Sequence, residues 1–226
     1  MAVVLAAGRG TRMRAAADVA LTSAQAAAAD AGHKFLVPIH GRPFVAYVLD
    51  EVEAAGFDEV CMVVAPDSPL RQPAGGGGGR VATTRRVQLA VQPEPRGNAD
   101  AVLAAEPVVA GGDLVVINAD NLYPANVLRR MRELDGPGMA AFDRETLVRE
   151  SNIPAERVAR FALVREEGGL LAEIVEKPSP SPETAAAMAG ARVSMTCWRF
   201  DPAIFDACRD VAPSPRGELE LTDAVA

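Results

Sequence analysis

Residues 3–12 read VVLAAGRGTR, an apolar run that breaks into glycines interleaved with arginines. Glycine lets the backbone turn sharply and approach a ligand, and guanidinium forks clamp phosphate oxygens. Gly8, Gly10, Arg9, Arg12 and Arg14 therefore spell a polyphosphate loop at the carboxyl end of a strand. A tight turn with solvated arginines has the same spelling. A dinucleotide fingerprint would need a third glycine where Met13 stands, and a P-loop would need Gly-Lys followed by Ser or Thr; neither is present. Of 23 basic residues only Lys34 and Lys177 are lysines. A compact ammonium suits a place tight against phosphate where the planar fork of arginine fits poorly. That makes both lysines candidates, although composition alone leaves two chance surface lysines equally open.

The elements that would position these residues follow from periodicity. Residues 2–6 read as a short buried strand, 22–31 as an Ala-rich helix capped by Thr22 or Ser23 and stopped near Gly32, and 43–55 as a helix behind Pro43 that ends at Gly56. A buried strand at 59–65 completes a βαβ pattern, which implies a parallel or mostly parallel sheet covered by helices. Further strands are expected at 86–92, 113–118, 138–142, 157–165, 170–176 and 193–200. Helices are expected at 98–106, 124–134, 183–189 and 202–209. The Gly-rich run at 73–79 reads as a surface loop. No internal repeat is visible.

Composition narrows the classes. The chain has 226 residues, 49% hydrophobic, enough for the core of one α/β domain. A net charge of −7 argues against a nucleic-acid binder. No membrane-spanning run or signal core is present, so a soluble cytoplasmic protein is expected. Cys61, Cys197 and Cys208 form no C-x-x-C pair and read as buried, incidental thiols.

LAAGRGTRM resembles the signature loop of the sugar-1-phosphate nucleotidylyltransferases. Five further segments follow in that family's order: KFLVPIHGRPFVAYVLD at 34–50, QPEPRGNADAV at 92–102, NADNLYP at 118–124, VEKP at 175–178 and GELELTDA at 217–224. The resemblance implies a Rossmann-like three-layer α/β/α fold with a mixed, mainly parallel sheet, in one nucleotidyltransferase domain over 1–226. It implies transfer of a nucleotidyl group from a nucleoside triphosphate, dTTP or UTP favoured, to a sugar 1-phosphate, with Mg²⁺ as cofactor and no nucleic-acid or membrane partner. Homo-oligomers are common in the family.

Residue by residue, the resemblance places Leu5, Ala6, Ala7, Gly8, Gly10 and Thr11 around the triphosphate, with Arg12 and Lys34 clamping phosphates. Lys177 holds the sugar phosphate, and Glu176 bonds sugar hydroxyls. Gln92 and Gly97 match the segment that reads the base, and a Gln amide can both donate to and accept from thymine or uracil. Ala162 falls in a strand that borders the sugar. Asp120 offers the hard oxygen that Mg²⁺ shares with triphosphate oxygens; a solvated strand-end Asp is the plainer reading without the resemblance.

Some positions depart from the pattern. About 20 residues separate Arg12 from Lys34, with the Ala-rich helix as an insertion. His33 and Phe35 flank the lysine where proline is common, Ala119 and Ala162 stand where glycine is common, and Thr196 where glycine or asparagine is. Neither His33 nor His40 is required by this chemistry. The family carries a second metal ligand in a stretch beyond GELELTDA, so the domain is expected to lack its C-terminal segment. Two other readings follow: a non-catalytic regulatory or nucleotide-sensing homologue, and an enzyme of the same fold acting on another acceptor.

Overall fold

The computed structural model describes residues 1–8, 21–71, 86–176 and 190–226. In chain order the elements are β1 (Ala2–Ala6), α1 (Ser23–Asp30), β2 (Pro38–Ile39), β3 (Arg42–Pro43), α2 (Phe44–Ala54), β4 (Glu59–Val64), β5 (Arg86–Val91), α3 (Asn98–Val109), β6 (Leu114–Asn118), α4 (Ala125–Glu133), β7 (Gly138–Phe142), α5 (Arg144–Glu150), α6 (Ala155–Val158), β8 (Ala162–Glu167), β9 (Leu170–Val175), β10 (Arg192–Phe200), α7 (Ala203–Asp210) and α8 (Leu221–Val225).

The first strand shows why three layers form. All five residues of β1 are buried, and the two-residue period of a strand sends Ala2, Val4 and Ala6 to one face and Val3 and Leu5 to the other. One face meets Val45, Val48, Leu49 and Val52 of α2, with Leu128 and Met131 of α4. The other meets Val102 and Ala105 of α3 and Phe205 of α7. A strand apolar on both sides can only sit in the middle of a sheet with helices above and below.

The sheet runs β5-β4-β1-β6-β10-β8-β9, with β7 also paired to β10. Its first half is parallel: β1 lies between β4 and β6, and β5 adds outside β4. From β10 onward the pairing is antiparallel. The fold is thus a mixed three-layer α/β/α sheet, and the carboxyl ends of β5, β4, β1 and β6 share one edge, where open sheets of this type bind ligands.

Most expected elements are present near their expected limits. Residues 157–165, expected as one strand, are instead the end of α6, a turn and the start of β8. Pro154 caps that helix and Glu156 sits in its first turn, while Ala159, Phe161 and Leu163 alternate at a strand's two-residue spacing. The β2–β3 hairpin was not expected either. His40 and Gly41 both take positive φ, 48° and 77°, the pair of left-handed residues that a tight two-residue hairpin turn needs. Helix α3 continues through Pro107 to Val109 rather than stopping at 106. The expected helix at 183–189 and the glycine run at 73–79 lie outside the described residues.

Candidate functional site

The shared sheet edge gathers several of the sequence candidates. Leu5 at the end of β1 is in register with Val63 of β4 and Asn118 of β6, and its carbonyl accepts from Ala119 N at 3.0 Å. Ala6 and Ala7 are buried, and Gly8 is exposed where the chain leaves the sheet. Gly10, Thr11, Arg12 and Lys177 lie outside the described residues.

Lys34 reaches this edge through the inserted helix. Thr22 and Gln25 form a capping box at the start of α1, and Gln25 Nε2 donates to Pro38 O at 3.0 Å, tying the helix to the hairpin. Gly32, at φ 77°, ends the helix. A single 3₁₀ turn, Lys34–Leu36, follows, anchored by buried Phe35. From it Lys34 Nζ lies 3.6 Å from Asp120 Oδ2, the side chains 24% and 38% exposed.

Asp120 is held by its own turn. Asn121 Nδ2 donates to Tyr123 Oη at 3.0 Å and to Met195 O at 3.3 Å. Tyr123 is buried and its hydroxyl donates to Met195 O, and burial pushes that phenol up from its ordinary value. The turn carrying Asp120 is therefore bolted to β10. Nothing in the local sequence pointed to Asn121, because its partner Met195 lies 74 residues away.

Beside Asp120 opens a pocket lined by Asn118, Asn121, Arg160, Ala162, Glu176, Thr196, Glu220 and Thr222, among others. Of the expected sugar-side residues it contains Glu176 and Ala162. Thr222 Oγ1 donates to Glu176 Oε2 at 3.4 Å. Burial foremost, then the charge of Glu220, raises the Glu176 carboxyl above its ordinary value, against the Thr222 hydrogen bond and the Arg216 guanidinium. Glu220 is itself buried and paired with Arg216. GELELTDA was noticed in the sequence as a motif, but Glu220 and Thr222 as pocket residues were not.

Gln92 and Gly97 sit at the carboxyl end of β5. Gln92 is 4% exposed, and its Nε2 donates to Gly97 O at 3.0 Å and to Asp100 Oδ2 at 2.8 Å. Asp100 is buried and also accepts from Arg96 Nη2 at 2.7 Å. Gly97 has φ 118°, and a Cβ there would fall 2.3 Å from Leu219 O. Leu219 N donates to Arg96 O at 2.6 Å, and Ala99 N to Leu219 O at 3.0 Å. The GELELTDA segment thus docks on the Gln92–Asp100 turn while it delivers Glu220 and Thr222 to the pocket.

Thr196, where the sequence departs from glycine or asparagine, has φ 62°, inside the register shift between Ser194 and Trp198 of β10. A β-branched residue is strained in that region. Thr196→Asn is expected to raise stability by about 1 kcal/mol, since asparagine tolerates the left-handed conformation; urea denaturation of the two proteins measures it.

The three cysteines are buried. Burial pushes Cys61 up to about 11 and Cys197 and Cys208 up to about 12, so they carry no thiolate chemistry at neutral pH. His33 stacks edge-on to Phe35 and His40 forms the hairpin turn. Among the described residues no three His, Cys, Asp or Glu gather as a metal cluster. Nor is any described helix long and apolar enough to cross a membrane.

Comparison with known proteins adds to this geometry. The family model described as nucleotidyl transferase matches residues 1–226. The chain is 32% identical over 224 residues to a glucose-1-phosphate thymidylyltransferase of Streptomyces griseus, covering 99% of this chain and 56% of that protein. It is 31% identical over 228 residues to a UTP–glucose-1-phosphate uridylyltransferase of Haloferax volcanii, covering 99% and 81%. The chain therefore spans little more than half the length of the Streptomyces relative. A crystal structure of UDP-glucose pyrophosphorylase complexed with UDP-glucose superposes with a TM-score of 0.70 at 18% identity, covering 99% of this chain and 84% of that one, a likeness of fold.

Proposed function

Because this chain belongs to the nucleotidyl transferase family, we propose that it transfers a nucleotidyl group from a nucleoside triphosphate, dTTP or UTP in preference, to a sugar 1-phosphate. The observation that carries this reading is the Lys34–Asp120 pair, set at the sheet edge where the Gly-Arg loop leaves β1 and beside the pocket that holds Glu176. A sugar-phosphate oxygen attacks the α-phosphorus, the bond to the bridging oxygen breaks, and pyrophosphate leaves. Catalysis of that kind is positioning and charge neutralisation among crowded phosphates.

In this reading Lys34, with Arg12 and Lys177, supplies positive charge to the phosphates, and Glu176 accepts hydrogen bonds from sugar hydroxyls. Asp120 would hold Mg²⁺. Its one, partly exposed carboxylate offers hard oxygen to an ion that takes one or two carboxylates and completes its shell with phosphate oxygens and water. When bound there, the ion would neutralise charge building on the triphosphate. An exposed ion pair contributes little to stability, so a lysine and an aspartate kept together at a site edge are better explained by a ligand than by folding.

Two measurements test the reading. Pyrophosphate release with Mg²⁺ should require one nucleoside triphosphate together with one sugar 1-phosphate; binding of triphosphate by the folded chain without turnover on any sugar 1-phosphate would overturn it. The second is a pH profile. Because the Glu176 carboxyl is raised, it protonates on acidification before an ordinary glutamate, and the protonated form accepts less well. KM for the sugar 1-phosphate should rise as pH falls, with a midpoint above the ordinary glutamate value of about 4.3. Glu176→Gln should raise KM about tenfold at neutral pH and remove that inflection.

A further inference from the structure

The turn after β5 holds more information than a base-reading glutamine requires. An amide side chain is ambiguous: turned one way it offers N–H donors, turned the other a carbonyl acceptor. At Gln92 both Nε2 hydrogens are spent, on Gly97 O at 3.0 Å and Asp100 Oδ2 at 2.8 Å. Gly97 O and the Asp100 carboxylate are both acceptors, and the other oxygen of Asp100 accepts from Arg96 Nη2 at 2.7 Å. Turning the amide over would set Gln92 Oε1 against two acceptors and lose both hydrogen bonds. Oε1 accepts no hydrogen bond from a described residue.

We propose that Asp100 is a specificity-determining positioning residue, which turns the Gln92 amide so that only its carbonyl is presented to the nucleobase. A carbonyl selects a base that offers a ring N–H. Uracil and thymine do so at N3, whereas cytosine at N3 and adenine at N1 offer lone pairs and are rejected by acceptor-to-acceptor repulsion. Guanine donates from N1 and is not rejected by this contact. The preference for uridine or thymidine nucleotides would then reside in a carboxylate that touches no part of the nucleotide. This inference rests on the transferase reading of the site.

The test compares equilibrium binding of UTP, dTTP, CTP, ATP and N3-methyl-UTP to wild type and Asp100→Asn, with the fold of each checked by urea denaturation. In wild type, UTP and dTTP should bind more tightly than CTP, ATP and N3-methyl-UTP. In Asp100→Asn the neutral amide can also donate, so the UTP-to-CTP affinity ratio should fall at least about tenfold, with KM for the sugar 1-phosphate unchanged. Where Asp100→Asn does not fold, Arg96→Met, at an arginine 61% exposed, should lower the same ratio about twofold to fivefold by freeing the carboxylate to turn. An unchanged ratio, an equal weakening of every triphosphate, or N3-methyl-UTP binding as UTP does, would overturn the inference while leaving the transferase reading intact. Wild type that folds and binds no triphosphate would overturn that reading and this inference with it.

Discussion

Asp120→Ala is expected to leave the protein folded and to lower pyrophosphate release by at least about 10²-fold, the scale seen when a single group aimed at transition-state charge is removed. The two halves of this expectation come from different facts. Asp120 is 38% exposed, and its ion pair with Lys34, at 3.6 Å, lies partly in solvent. Such a pair contributes about 0–1 kcal/mol, so the urea midpoint should scarcely move. The turn itself is held by Asn121 and Tyr123 against β10 and does not depend on the Asp120 side chain. Activity, by contrast, loses the oxygen proposed for Mg²⁺ at the point where triphosphate charge must be neutralised. Lys34→Ala should also lower turnover, and the double variant should fall by less than the product of the two singles, because both act on the same phosphates. Steady-state rates beside denaturation curves for the four proteins decide it. A folded Asp120→Ala with wild-type turnover would remove Asp120 from the chemistry.

What could be read from sequence was what chemistry imposes on residue type. Two lysines among arginines stand out by residue type, whereas Asp120, by itself a plain strand-end aspartate, was singled out only by the family resemblance; the structure brings Lys34 and Asp120 within an ion pair. The helical layers were legible because α2 repeats its apolar residues at helical spacing, and the central strands because they are apolar on both faces. Thr196 was legible as a departure, and its positive φ gives the reason glycine or asparagine would be easier there.

Illegible were residues whose role is defined by a distant partner. Asn121 acts through Met195, and Thr222 reaches Glu176 from 46 residues away. Asp100 lies close to Gln92 in sequence, yet only the geometry shows that it faces the amide nitrogen. The stretch 157–165 was misread because Ala159, Phe161 and Leu163 alternate as the residues of a strand do, and the proline that starts a short helix there lies before the window.

Gly97→Ala should be the most damaging single methyl in the described structure, costing about 3 kcal/mol or more of stability and abolishing triphosphate binding. Two independent costs meet there. The backbone sits at φ 118°, where a side chain is strained, and the added Cβ would lie 2.3 Å from Leu219 O and 2.6 Å from Leu219 N. Neither contact can be relieved by rotating a side chain, because both are to backbone. Relief means separating the turn from Leu219, which breaks the hydrogen bonds of Leu219 N to Arg96 O and Ala99 N to Leu219 O. The damage would then spread both ways: Gln92 loses Gly97 O, and Glu220 and Thr222 lose the segment that delivers them to Glu176. Gly111→Ala is the matched control. Its φ is 80°, but nothing lies within 4 Å of the added carbon, so it should show only the backbone strain, about 1 kcal/mol, with triphosphate binding intact. Urea denaturation of the two variants separates strain from collision, and a Gly97→Ala protein no less stable than Gly111→Ala would mean that the turn and the GELELTDA segment are not locked together as the geometry requires.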